Sequence, residues 1–321
     1  MSGRPQANLN RSDDHWAYRH AWLAVALGSV AAPTVLVAAR MHIEFAALLP
    51  YLALLGALAG VHFFYLRWRP NPAISLITGS IALMMGAAFL AGIIANAGLR
   101  LRFPLVDDAL SRWDLALGID TPALVLGVAA RPWLAELLGL AYVSIFPLSF
   151  VTAVWLGLRG ASQRLWEFVL AFAAGLVVAA IISVFVPALG NIANAGLHAL
   201  AGNELPAGSG VYFLEAVHKG RDGVDPVLAV AKLEGVVCFP SFHIIMALAV
   251  AWAHRGQGAA TWLIAAWCVL VGFSTIPNGG HYVVDLIAGT GLWALTLTLP
   301  VLSRSGLFAR RTPHPPQANA G

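Results

Sequence analysis

Two short stretches hold the residues best suited to chemistry: Cys238-Phe239-Pro240-Ser241-Phe242-His243, and Ser274 through Asp285 with the core Gly279-Gly280-His281-Tyr282-Val283-Val284-Asp285. The first reads as a helix start, with Pro240 in the first turn, where proline is tolerated. Ser241 and His243 then lie beside unpaired backbone N–H groups and the positive end of the helix dipole, which together favour an anion. In the second stretch, Gly279-Gly280 predicts a tight turn followed by another helix start. His281 and Asp285 are four residues apart, a spacing that places both on one helical face. A carboxylate so placed holds one imidazole nitrogen and makes the other more basic, as in sites where a histidine is the reacting group. Taken singly, Ser241 reads as a cap, Asp285 as a dipole partner and each histidine as an interface residue. Their joint occurrence points to catalysis.

The elements that must position these residues are membrane helices. The chain has 321 residues, of which 59% are hydrophobic and only 11% charged. A soluble domain carries about 25% charge, so lipid is the solvent that suits this chain. Apolar blocks predict eight spans, at 18–40, 46–67, 73–98, 132–157, 164–189, 240–255, 259–277 and 281–302. The fold class expected is all-α, a polytopic transmembrane helix bundle. Arginines favour one set of loops: Arg4, Arg11 and Arg19; Arg67 and Arg69; Arg159 and Arg164; Arg255; Arg304, Arg310 and Arg311. By the positive-inside rule these loops are cytoplasmic, which puts both termini inside. The starts of spans six and eight and the end of span seven then meet on the extracytoplasmic side. One site there can hold Ser241, His243, His281 and Asp285.

Between spans three and four, segment 99–131 mixes Leu110, Trp113 and Leu115 with Asp107, Asp108, Arg112 and Asp114. It reads as a surface loop helix or as an amphipathic interfacial or re-entrant element, a lid or lipid entry. Met1 to Asp14 is polar, without the apolar region of a cleavable leader, so the first span serves as an uncleaved anchor. Cys238 and Cys268 lack CxxC or zinc-type spacing, and no disulfide between them is expected. The net charge of +4 comes with no basic patch interleaved with aromatics, so no nucleic-acid partner is expected. His15, His20, His42, His62, His198, His218, His254 and His314 have no supporting spacing.

The two motifs resemble the type 2 phosphatidic acid phosphatase (PAP2) superfamily, whose pattern joins a Lys/Arg-rich first motif, PSGH and SRxxxxxHxxxD. Pro240-Ser241-Phe242-His243 matches the second part with Phe242 in place of glycine; Ser274, His281 and Asp285 match the third, with Thr275 in place of arginine. The wording is closest to the inositolphosphotransferase-like, Aur1-type branch. The resemblance implies that His281 attacks phosphorus, that Asp285 orients it, and that His243 acts as acid and then base. It also implies that Ser241 and Ser274 help hold the phosphate, with no metal and no cofactor. The missing arginine leaves the cation to Lys219, Arg221 or Lys232, with Arg221 preferred. The expected organisation is two added helices in 1–72, a six-helix PAP2-like core in 73–303 and a cytoplasmic disordered tail in 304–321.

The activity expected is hydrolysis of a lipid phosphate or diphosphate monoester at the outer face of a bacterial plasma membrane. Membrane lipids are the other partners, and the oligomeric state stays open. The alternatives are transfer of a phospho-headgroup to a lipid alcohol, a transporter or scramblase using the histidines as a proton relay, and a haloperoxidase-type reaction.

Overall fold

The computed structural model describes residues 15–223 and 225–304. Arg4, Arg11 and the expected disordered tail beyond Arg304 lie outside the described residues. The chain folds as an all-α polytopic bundle with no strand among the described residues. Its helices are α1 (His15–Ala38), α2 (Phe45–Arg67), α3 (Pro72–Gly98), α4 (Asp107–Ala116), α5 (Thr121–Ala129), α6 (Pro132–Leu158), α7 (Ser162–Phe185), α8 (Asn191–Asn194), α9 (Leu214–Asp222), α10 (Phe242–Ala253), α11 (Ala259–Gly279) and α12 (Val283–Arg304).

Six of these, α1, α2, α3, α6, α7 and α11, are long and apolar enough to cross a membrane; α10 and the apolar part of α12 are shorter. The chain is an integral membrane protein. All eight predicted apolar blocks are helical. The sixth is shortest because a Pro-Ser start and a Gly-rich turn at Gly256 and Gly258 bracket it, leaving the 12 residues of α10.

α7 is the most enclosed of the long spans, packing against α1, α3, α10 and α12. Where α7 meets α10, a Cβ at Gly175 would sit 2.7 Å from Ile245 Cγ2, so only glycine allows the approach. Lipid tails are as apolar as the helices, so close packing of this kind, rather than water exclusion, holds spans together. α2 buries no residue and packs on α3, where two polar contacts fasten it. Tyr51 donates to the Met85 carbonyl at 2.7 Å, and His62 Nδ1 lies 2.8 Å from the Ser75 carbonyl. At the end of the bundle away from the histidines, buried Glu167 pairs with Arg255 at 2.8 Å and accepts from Trp252 Nε1 at 3.1 Å.

Segment 99–131 forms two short helices, α4 and α5, joined through Gly118. Asp120 caps α5 by accepting from Ala123 N–H at 3.0 Å, with Pro122 in the first turn. α4 packs on α12 and α8, and α5 packs on α6, α11 and α8. The pair closes one end of the bundle over the turn between α11 and α12.

Candidate active site

Helix α10 begins at Phe242 with Ser241 as its N-cap, so Pro240 lies outside the helix. The predicted first-turn proline is therefore displaced by two residues, because Ser241 takes an extended conformation (φ −66°, ψ 117°) that starts the helix after it. Ser241 N–H donates to the Asp285 carbonyl at 3.1 Å, which ties the start of α10 to α12. Its hydroxyl is buried and has no partner among the described residues.

His281 also lies outside a helix. α11 ends at Gly279, Gly280 turns left-handed (φ 71°), and α12 starts only at Val283. The contact predicted from a shared helical face exists but arises differently. Asp285 is the third residue of α12 and reaches back over its start, accepting from Tyr282 N–H at 2.9 Å, as the acidic residue of a capping box does. The same oxygen, Oδ2, lies 3.1 Å from His281 Nδ1. Both side chains are buried. The bond engages Nδ1 and leaves the second ring nitrogen, Nε2, outside the pair.

Cys238 adds a third donor to that carboxylate, its thiol lying 3.3 Å from Asp285 Oδ2. Burial, followed by the charge of Asp285, pushes the thiol's pKa well above its ordinary value, so it acts as an S–H donor. Asp285 Oδ1 is buried without a partner among the described residues.

His243, on the first turn of α10, faces His281 with ring centroids 6.3 Å apart. Tyr142 of α6 stacks on the His243 ring at 4.3 Å, and Phe146 meets it edge-on at 5.4 Å. His243 Nε2 is buried and has no partner among the described residues. The two histidines open on a cavity of about 610 Å³ whose walls include Ala91, Tyr142, Phe146, Phe172 and Leu176. The cavity is apolar along α3, α6 and α7, and none of its described lining residues is Lys or Arg.

The other predicted site residues sit elsewhere. Ser274 is fully buried and donates to the Val271 carbonyl of its own helix. Thr275 does the same toward Gly272, so the position where the family pattern has arginine faces α11 itself. Lys219 pairs with Glu215 on the exposed side of α9. Arg221 donates to the Phe103 carbonyl at 3.0 Å. Lys219 and Lys232 line a second, more polar cavity of about 820 Å³. It adjoins the histidine cavity, both being bordered by Tyr212 and Glu234.

Several positioning residues were not singled out from the sequence. Asp114 accepts from Val283 N–H and Val284 N–H, both at 2.9 Å, and from the Thr121 hydroxyl. A carboxylate thus sits on the first two amides of α12, satisfying donors that the helix leaves open and complementing its dipole. Asp107 accepts from Leu189 N–H, Gly190 N–H and the Tyr282 hydroxyl. Burial pushes its carboxyl above the ordinary pKa, and these donors counter that only in part. Asn191 donates through its amide to the carbonyls of Ile276 and His281, and its N–H reaches the Gly280 carbonyl at 2.7 Å. The approach is so close that a Cβ at Gly190 would lie 2.5 Å from the Gly280 oxygen. The turn carrying His281 is therefore held from both sides.

Replacing Asp114 by alanine leaves three donors without their acceptor, each worth about 1–3 kcal/mol when buried and unpaired. The expected loss is about 2–5 kcal/mol, seen as a lower unfolding midpoint in detergent, with Asp114→Asn recovering part of it. An Asp114→Ala protein as stable as the parent would remove Asp114 as the brace of α12.

The described chain is a bundle of apolar helices in which a buried histidine held by a carboxylate faces a second histidine beside two helix starts. The chain belongs to the PAP2 superfamily, whose profile matches residues 108–299. The match begins in α4 and runs into α12, leaving α1 to α3 outside it. No match is found among curated proteins or among solved structures.

Proposed function

We propose that this protein is a membrane phosphatase that hydrolyses a lipid phosphate or diphosphate monoester at the extracytoplasmic face through a phosphohistidine. PAP2 superfamily membership agrees with phosphatase or phosphotransferase activity. The observation that carries the reading is the pairing of His281 with Asp285, 3.1 Å apart and buried, opposite His243 in a cavity walled by apolar side chains.

In the first step His281 Nε2 attacks phosphorus, and the bond from phosphorus to the leaving oxygen breaks. His243 supplies the proton that the leaving oxygen needs. In the second step His243 takes a proton from water, the water oxygen bonds to phosphorus, and the phosphorus–nitrogen bond breaks. Asp285 stabilises the positive charge on His281 in between. Ser241, with its unpartnered hydroxyl, and the N–H groups at the start of α10 bind phosphate oxygens as charge grows on them. The apolar walls suit the lipid chain. We assign the cationic role to Lys219 and Lys232 across the shared border at Glu234, ahead of Arg221 with its carbonyl partner. Helices α1 and α2 are additions to a core spanning 73–303.

A second reading, Aur1-type transfer of a phospho-headgroup to a lipid alcohol, is favoured by the adjoining polar cavity, which has room for an acceptor. The chemistry at the histidines is the same; only the second nucleophile differs. Assays of phosphate release from a panel of lipid phosphates, with and without added diacylglycerol or ceramide, separate the two. Free phosphate as the product supports hydrolysis, and label on the added alcohol supports transfer.

Orthovanadate adopts the geometry of the phosphoryl transition state and is expected to inhibit at or below about 1 mM. Full activity at that concentration counts against a phosphohistidine site.

A further inference from the structure

Three potential ligand atoms, Cys238 Sγ, His281 Nδ1 and an Asp285 carboxylate oxygen, meet at the base of the histidine cavity, and all three residues are buried. Their separations are 3.1 Å from Nδ1 to Oδ2, 3.3 Å from Sγ to Oδ2 and 4.0 Å from Sγ to Nδ1. Around a tetrahedral zinc ion, with bonds of about 2.0–2.3 Å, such atoms stand roughly 3.3–3.6 Å apart. The three atoms are thus within about half an ångström of a ligand set without a backbone change. We propose that Cys238, His281 and Asp285 form an inhibitory binding site for a soft divalent cation of the zinc class.

Charge favours this occupant. A thiolate and a carboxylate together neutralise a dication, so a buried neutral centre replaces a buried carboxylate. The thiol proton leaves to water as the sulfur–metal bond forms, the imidazole proton moves from Nδ1 to Nε2 as the nitrogen–metal bond forms, and no oxidant or reductant is needed. Asp285 Oδ1, buried and without a partner among the described residues, is the independent sign of unmet binding capacity here. A hard cation is poorly served. Magnesium and calcium seek six or more oxygen ligands, and this cluster offers one carboxylate beside sulfur and nitrogen. Cys238 and His281 both line the cavity, which provides the route in. Cys268, by contrast, sits in the apolar core among α6, α7 and α10 side chains.

Inhibition follows from which atoms the cation occupies, and this part rests on the proposed role of His281. The metal takes Nδ1 and Oδ2, the two atoms through which Asp285 polarises the imidazole. With Nδ1 taken, the ring proton sits on Nε2, whose lone pair is then not free to attack phosphorus.

The test uses full-length protein in detergent. Zinc and cadmium are expected to inhibit phosphate release at micromolar levels and a chelator to restore it, whereas magnesium and calcium do nothing at concentrations about 100-fold higher. In Cys238→Ala, measured against that variant's own uninhibited rate, half-inhibition should need at least about 10-fold more zinc. Binding is read separately, as the ultraviolet sulfur-to-cadmium charge-transfer band on titration with cadmium. One cadmium per chain with this band is expected in the parent, in Cys268→Ala and in His243→Gln, and no band in Cys238→Ala. Equal zinc sensitivity in Cys238→Ala, or a band that is missing in the parent or lost in Cys268→Ala, overturns the site. The band requires no turnover. A protein that binds cadmium through Cys238 but releases no phosphate from any substrate therefore keeps the metal site and sinks the phosphatase reading.

Discussion

His281→Ala is expected to abolish turnover, with a fall in kcat on the order of 10⁴-fold or more, because the protein then has no nucleophile in the position that Asp285 orients. Cys238, Ser241, Tyr142 and His243 all remain in place, so substrate binding should change far less than kcat. Asp285→Asn separates orientation from charge. Three donors converge on Oδ2: Tyr282 N–H, the Cys238 thiol and His281 Nδ1. An asparagine carbonyl can still accept from them and hold the tautomer, but it cannot stabilise the imidazolium that forms on attack. The expected fall is about 10²–10⁴-fold, smaller than for His281→Ala. Radiolabel from a phosphate-labelled substrate should be trapped on the parent protein on rapid quenching and be absent from His281→Ala. Equal phosphate release by the parent and His281→Ala removes His281 from the reaction.

The residues of this dyad were legible because helix starts write themselves locally. Pro-Ser before an apolar run, and Gly-Gly-His before another, specify turns and caps within a few residues, without knowledge of the rest of the chain. The way the dyad is built was less legible. A spacing of four fits a shared helical face, but it equally fits a histidine just before a helix whose third residue reaches back. Only the left-handed turn at Gly280 decides between them. Asp107 and Asp114 were visible as acids in an amphipathic segment, and their spacing of seven puts them on one face of α4. What that face meets lies about 80 residues away at Leu189 and 170 away at Val284, and no local pattern carries such information. Tyr142 is hidden for another reason. An aromatic in a membrane helix is ordinarily an interfacial anchor or a packing residue, and only its stacking on His243 marks it out. Segment 99–131 read as one loop or interfacial helix, whereas Gly118 and the Asp120 cap divide it into α4 and α5.

His243→Gln should split the two half-reactions. His243 lies between Tyr142 and Phe146, with a ring nitrogen that has no partner among the described residues, opposite His281. Glutamine fills much of the same space and hydrogen-bonds, but it cannot exchange a proton. A lipid phosphate has an alkoxide leaving group that needs protonation, so its hydrolysis should slow by about 10²–10⁴-fold. p-Nitrophenyl phosphate leaves as a weakly basic phenolate and needs little help, so His281 should still be phosphorylated at a rate near the parent's. Dephosphorylation then lacks the base that activates water, and the phosphoenzyme accumulates. The signature is a burst of nitrophenol equal to one per active chain, followed by near-arrest, with acid-labile phosphate left on the protein. In the parent, the same substrate should turn over without a stalled intermediate. Equal losses on both substrates, with no burst, would mean that His243 binds the phosphate rather than moving its protons, and the acid–base role would pass to another group. A burst that a small, strongly nucleophilic amine such as hydroxylamine clears from His243→Gln, but water does not, would place the missing function at activation of the second nucleophile. Hydrolysis and transfer differ at that step, so the same variant offered a lipid alcohol instead of hydroxylamine reports which acceptor the site is built to take.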